Sequence, residues 1–312
     1  MTQTLLSDIG GTNIRFGLLE KGKFHRLILY PHEKGLSMEK AVRRYLTETK
    51  AKPDMFVAGA AGVLEKQGVI HLTNRRFKVD MPALCRKFGF QIGVLSNDMT
   101  FHALSQIQLP DTKRACVVFV GTGIGVAYIH DKVVIPSEDG HLPLARPSAA
   151  EKAIQAKSWE DVISGPAFLK IYRSLKGDLR PVLQSREVSF LAHQTRDPQA
   201  IQTYQIIAKC MAKFCIHIAR RKKVSSFFLG GQAVEILRLP IGQETFFQAL
   251  GKWADVLGIR IMRPGEPTAM QGLSLIAEEV RKTGKTAHVK AGAIAVCHLP
   301  DCEKAGPSKK KK

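Results

Sequence analysis

Two segments of the chain repeat one pattern that few folds use. Residues 5–20, "LLSDIGGTNIRFGLLE", and residues 115–131, "ACVVFVGTGIGVAYIHD", each read as an apolar strand, a glycine-rich turn and a second apolar strand. A plain hairpin needs one glycine and no acid. The first turn has Gly10 and Gly11 followed by Thr12 and Asn13, and Asp8 opens it; the second has Gly121 and Gly123 around Thr122. A third glycine pair follows in "SSFFLGGQAVEIL" (225–237), where a strand runs into Gly230-Gly231 and then a helix. A glycine–strand module near the start of each half implies two related α/β units facing each other across a cleft.

The intervening sequence fits that plan. Ser37 to Glu48 has helical periodicity, with Met38, Ala41, Val42 and Leu46 on one side. Strands are expected over Asp54–Gly59 and Gly68–Leu72, and a helix over Met81–Phe88 with a proline near its start. A buried strand, Ile92–Leu95, leads into Ser96-Asn97-Asp98, and a helix is expected from Phe101 to Gln108. Cys210, Met211, Phe214 and Ile218 form a helical apolar stripe that belongs to the core. Pro110-Asp111 marks a boundary. The expected organisation is a small α/β domain over 1–109, a large one over 110–267, a helix at about 268–282 returning to the first, and a basic extension over 283–312.

Composition narrows the function classes. The 312 residues are 45% hydrophobic and 24% charged, an ordinary globular balance. No run is long and apolar enough for a membrane helix, and with no basic and apolar stretch ahead of the strand at Leu5 a secretory leader is not expected. Six scattered cysteines make no disulfide framework, which suits a cytoplasmic protein. The net charge of +20 lies partly in the tail Lys309–Lys312. The basic residues are not interleaved with aromatics, so nucleic acid is not the expected partner.

The glycine motifs are not the commonest nucleotide loops. The only Gly-Lys-Thr, at 284–286, follows a helical segment and has Glu279 where a phosphate loop needs its first glycine. Gly121–Gly125 follows a strand, but Val126-Ala127-Tyr128-Ile129 reads as another strand rather than the helix of a dinucleotide fold. What remains is a pair of strand–turn–strand phosphate clips, in which glycines let backbone N–H groups approach an anion and Thr12 and Thr122 add hydroxyls. Asp8 would repel a bare phosphate. It makes sense beside a nucleotide carrying Mg²⁺, held through oxygen ligands or their waters.

"SDIGGTNIRFGL" (7–18) resembles the first phosphate motif of the bacterial glucokinase family, part of the sugar kinase, Hsp70 and actin superfamily. "LTNRRFKVD" (72–80), "LSNDMTFHAL" (95–104), "VGTGIGVAYI" (120–129), "IPSEDGHLPLA" (135–145), "WEDVISGPAFLKIY" (159–172) and "FFLGGQAVEIL" (227–237) follow in the family's order. The resemblance implies the actin-like, ribonuclease H-like ATPase fold. It implies a cytoplasmic, homodimeric hexokinase that transfers the γ-phosphoryl group of ATP to O6 of glucose with Mg²⁺. By the same resemblance Asn97, Asp98, Glu138, His141 and Glu160 bind the sugar, and Asp98 is the catalytic base. The phosphates lie at Gly10, Gly11, Thr12 and Asn13 and at Gly121, Thr122 and Gly123, with the nucleoside near Gly230 and Gly231. Asp8, read from its place beside the first clip, is expected to hold Mg²⁺ through water.

These residue types suit that chemistry. Vicinal sugar hydroxyls need carboxylates, amides and imidazole at fixed angles. Phosphoryl transfer needs positioning and charge neutralisation more than covalent help. The residues also have structural readings: Asn97-Asp98 can cap the following helix, and Glu160-Asp161 suits a helix N-terminus. Ser137 and Asp139 replace glycines that usually flank the glutamate of the family's Glu-x-x-His motif, and Val120 replaces a small residue or proline. Asp139 brings a negative charge to the motif, which leaves a kinase for another hexose or an amino sugar as the alternative. A non-catalytic sugar sensor or a basic nucleic-acid binder is the third. Cys297-His298 with Cys302 is more simply a set of free thiols than a metal site.

Overall fold

The computed structural model describes residues 2–73, 75–110, 112–144, 147–176, 184–263 and 268–299. Asp111, Cys302 and the tail Lys309–Lys312 lie outside the described residues. The chain divides into two compact units. One takes residues 1–108, 132–136 and 267–312; the other takes 109–131 and 137–266.

The first unit begins with β1 (Thr4–Ile9), β2 (Asn13–Glu20), β3 (Lys23–Pro31), α1 (Met38–Thr49), β4 (Met55–Ala60), β5 (Gly62–Glu65), β6 (Val69–Leu72), β7 (Lys78–Asp80), α2 (Met81–Phe88), β8 (Ile92–Asn97) and α3 (Asp98–Leu104). The second unit contains β9 (Arg114–Val120) and β10 (Ile124–His130), and β11 (Val133–Ser137) follows, most of it counted with the first unit. Then come α4 (Ala149–Ala153), α5 (Glu160–Ile163), α6 (Gly165–Lys176), α7 (Ser185–Phe190), α8 (Pro198–Lys222), β12 (Ser226–Gly230), α9 (Pro240–Leu250) and β13 (Gly258–Ile261). The chain rejoins the first unit as α10 (Thr268–Thr283) and β14 (Ile294–His298).

In the first unit one sheet runs β14-β8-β4-β1-β2-β3, with β1, β4 and β8 parallel. All six residues of β4 are buried, as a central parallel strand covered on both faces requires. The sheet packs over Phe16, Tyr45, Phe56 and Phe90; Phe16 and Tyr45 stack at 5.1 Å. Helix starts follow local chemistry. Ser37 caps α1 by accepting from the Lys40 N–H, and Asp80 caps α2 by accepting from Ala83. Gly89, at φ 74°, ends α2 in the left-handed conformation. In the second unit β10, β9, β12 and β13 lie side by side. The stripe Cys210, Met211, Phe214 and Ile218 of α8 is buried, as its spacing predicts.

The structure also departs from the sequence reading. The helix expected at Phe101 begins at Asp98, because the Asn97 side chain accepts from the Met99 N–H and starts it three residues earlier. β5 was not foreseen; it is four residues long, with two exposed. The segment after Gly231 is a 3₁₀ helix, Gln232–Arg238, rather than an α-helix. Within the expected extension 283–312, residues 294–298 form β14, which pairs antiparallel with β8 and covers an edge of the sheet.

Candidate active site

Both glycine turns close hairpins. In the first unit Ile9 pairs with Ile14, and the Gly10 N–H donates to the Asn13 carbonyl at 3.0 Å. The turn is held from outside by its own carbonyls: His32 Nε2 donates to Gly10 O at 2.9 Å, and Arg75 Nε donates to Gly11 O. That bond needs the tautomer with its proton on Nε2. Burial, with the Arg75 charge adding to it, holds the His32 imidazole below its usual range, against the Gly10 hydrogen bond. In the second unit Val120 pairs with Ile124, and the Gly121 N–H donates to Gly123 O at 2.9 Å.

The reasons for glycine differ along these turns. A Cβ on Gly231 would stand 2.5 Å from the Val120 carbonyl oxygen, and its φ of +92° is a conformation L residues rarely adopt. A Cβ on Gly165 would meet Gly121 O at 2.9 Å. At Gly11 and Gly121 a Cβ would meet nothing within 4 Å, and neither residue has a positive φ. Neither packing nor backbone strain within the chain explains glycine there, and the open space is what an approaching anion needs.

Asp8 sits one residue before the end of β1, and Asn97 ends β8. The register Ile9–Ala60–Asn97 puts both at the carboxyl ends of the three parallel strands, where open α/β sheets bind ligands. Burial pushes the Asp8 carboxyl above its ordinary range, and Arg15, 3.3 Å away, opposes the shift. Asn97 commits part of its amide to structure: Oδ1 caps α3 and one Nδ2 N–H donates to Gly62 O at 2.9 Å, which leaves the second N–H. Asp98 is the first residue of α3, and its Oδ1 accepts from the Met99 N–H at 2.9 Å. A Cβ on Gly59 would stand 2.6 Å from the Phe101 ring and 3.3 Å from the Asp98 Cα, so the small residue in β4 lets the start of α3 approach the sheet.

The second unit brings together the remaining predicted groups. Glu160 opens α5, and its Oε2 accepts from the Ile124 N–H at 2.9 Å, just past the second glycine turn. Its Oε1 lies 3.9 Å from His141 Nδ1, and His141 Nε2 lies 3.6 Å from Glu138 Oε2. Glu138, His141 and Glu160 thus lie next to one another at ion-pair distances, and Glu160 ties the group to the end of the turn at Gly121–Gly123. Asp139 is drawn into other bonds. It accepts from the Tyr128 hydroxyl at 2.6 Å and pairs with Lys222 at 3.1 Å. Burial alone would raise its carboxyl, but those two partners outweigh burial and hold it below the usual range. The negative charge expected to bear on sugar choice is therefore neutralised within the fold.

Gly230 lies at the end of β12, paired with Phe119 of β9, so Gly230-Gly231 stands beside the second turn. A cavity of about 550 Å³ opens there, lined by Gly121, Thr122, Gly165, Tyr204, Gln232 and Glu235 among others. Its size suits a small-molecule ligand.

A family model described as Glucokinase matches residues 5–254. The chain belongs to the glucokinase family. A glucokinase of Chromohalobacter salexigens is 29% identical over 197 residues, which are 54% of this chain and 62% of that protein. The chain thus spans less than two thirds of this relative. Among solved structures, a glucokinase from Balamuthia mandrillaris in complex with glucose aligns with TM-score 0.73 at 16% identity, covering 89% of this chain and 94% of that one. A ROK family glucokinase from Streptomyces griseus in complex with glucose and AMPPNP aligns with TM-score 0.68 at 18% identity, covering 89% and 99%. The fold is that of the sugar kinases within the actin-like ATPases.

Several groups that hold these turns escape sequence reasoning. Arg75 and His32 hold the first turn from 64 and 22 residues away. Gly165 donates its N–H to Gly121 O at 2.7 Å, tying α6 to the second turn. Arg75 and Gly165 both fall inside family-like segments, and that was the only signal for them. Nothing in the sequence around His32 or Gly59 marks either residue.

Proposed function

We propose that the chain is an ATP-dependent hexokinase, a glucokinase, that transfers the γ-phosphoryl group to O6 of glucose. The observation that carries this reading is the position of Glu160. One carboxylate oxygen fixes the backbone of the second phosphate clip and the other lies beside His141, so a hydroxyl-binding set and a phosphate clip are built as one piece. Asn97, Asp98, Glu138, His141 and Glu160 are the sugar-binding groups in this reading. Asp98 accepts the O6 proton as the phosphoryl group moves. Gly10–Asn13 and Gly121–Gly123 bind phosphates, and the cavity beside Gly230-Gly231 takes the nucleoside. The homologue complexed with glucose and AMPPNP supports both ligand classes.

The donor set fits Mg²⁺ better than a caged metal. Among the described residues no group of three or more His, Cys, Asp and Glu can hold an ion. Mg²⁺ accepts such a site because it keeps its waters and binds through one or two carboxylates plus phosphate oxygens. Asp8 is the carboxylate we assign to it, and the bound ion would neutralise phosphate charge. Arg15 keeps Asp8 oriented at the strand end.

A coupled ADP-release assay across common hexoses tests the reading, with glucose expected to give the highest kcat/KM. Asp98→Asn should lower kcat by about two to four orders of magnitude. Glucose binding, measured by calorimetry, should change only a few-fold. Near-normal turnover in that variant would remove Asp98 as the base.

A further inference from the structure

Helix α8 carries a second patterned face besides its core stripe. Lys213, Ile216, His217, Arg220 and Arg221 recur at i, i+3, i+4, i+7 and i+8 and so share one side of the helix. With Leu144, Glu151 and Trp159 they line a cavity of about 560 Å³. It shares no lining residue with the cavity beside Gly121.

The charges in this cavity do not balance. Lys213 is accounted for: its Nζ lies 3.1 Å from Glu151, and that buried carboxylate also accepts from the Cys210 thiol and the Ser148 N–H. Among the described residues no ion pair joins Arg220 or Arg221 to a carboxylate. Arg220 lies 5.4 Å over the Trp253 ring, which holds the guanidinium while leaving its N–H edge for another partner. Trp159 is 5% exposed and forms part of the wall.

We propose that this cavity is a second ligand site, which binds a small phosphomonoester. Two uncompensated guanidinium groups match a phosphate dianion, and Arg–phosphate hydrogen bonds are among the strongest in proteins. The volume exceeds that of a bare ion and suits a small metabolite. Leu144 and Ile216 provide apolar wall for its organic body. Glu151, already paired with Lys213, does not repel the anion.

Both tryptophans of the chain report on this place, Trp159 in the wall and Trp253 under Arg220. A Trp253→Phe variant keeps a ring beneath Arg220 and leaves Trp159 as the sole fluorophore. At constant ionic strength, glycerol 3-phosphate should change its emission saturably, and inorganic phosphate should do so more weakly. Adding Arg220→Gln and Arg221→Gln should raise the apparent Kd about tenfold or more. Replacement by lysine at both positions should cost less. Both arginines are exposed, and a circular-dichroism spectrum matching the parent excludes unfolding; should the pair differ from the parent, the single Arg221→Gln variant is read instead. The proposal fails if sodium chloride alone reproduces the emission change, if no saturation occurs at millimolar ligand, or if the glutamine variants bind as the parent does. The measurement needs neither sugar nor ATP, so its result is independent of the proposed kinase activity.

Discussion

Glycine has two separable jobs at the proposed phosphate clips, and single substitutions distinguish them. Gly231 is fixed by the chain itself, through its φ of +92° and the nearness of the Val120 backbone. Gly231→Ala should therefore destabilise the fold by about 2–4 kcal/mol, the sum of strain in an extended positive-φ region that essentially only glycine populates and overpacking. Gly11 has open space around its Cα and no such φ. Gly11→Ala should leave the urea midpoint within experimental error while raising the KM for ATP several-fold, since a methyl group would occupy the space given to phosphate. Equal losses of stability in the two variants would show that Gly11 is structural after all. Asp8 belongs to the same scale. Its carboxyl, raised by burial and opposed by Arg15, sits at the strand end. Removing Arg15 leaves the rise from burial unopposed, so in Arg15→Ala the acidic limb of the pH–rate profile should move to higher pH. A profile identical to the parent's would remove Arg15 from the site.

The Glu138–His141 segment is a short 3₁₀ turn, Asp139–His141, and three residues make no stable element alone. Its anchor is Asp139, bonded to Tyr128 of β10 and Lys222 at the end of α8. Tyr128→Phe should raise the KM for glucose by up to about tenfold, with a smaller change in kcat, because the hydroxyl positions the turn and does not touch substrate. The bond itself is worth about 1.5–3 kcal/mol, being made to a carboxylate. A change confined to kcat would refute that positioning role. The same element shows where sequence was informative and where it was not. The strand–turn–strand modules, the caps at Ser37 and Asp80 and the stripe of α8 were legible, because each rests on contacts within a few residues of chain. The role of Asp139 was not. Sequence showed an acid in place of glycine, and its two partners lie 11 and 83 residues away. Likewise β14 follows a basic, turn-rich stretch, and only the free edge of β8 makes it a strand.

Over the whole chain, a net charge of +20 makes acid more damaging than usual, because every carboxylate that protonates adds to a repulsion already present. One pair in the first unit should carry a measurable part of that sensitivity. Arg281 of α10 donates to both carboxylate oxygens of Asp54 and also reaches Thr4 and the Gln3 carbonyl, fastening the helix at the foot of β1 and β4. The Arg281 hydrogen bonds hold the Asp54 carboxyl below its ordinary value, against a smaller rise from burial. A folded-state pKa that is depressed gives stability fully present above the unfolded value of about 4, and lost as pH falls through the folded value. Arg281→Ala should therefore lower stability at pH 7 by about 1–2 kcal/mol, a figure reduced for the partial exposure of both partners. As pH falls through the depressed folded-state value, the gap between variant and parent should narrow, because Asp54 then becomes neutral in both. Urea unfolding of the two proteins at pH 7 and along an acid series measures the difference. A gap that stays constant would mean that Arg281 stabilises through its bonds to Thr4 and Gln3 and the packing of its alkyl chain, with the Asp54 charge contributing nothing.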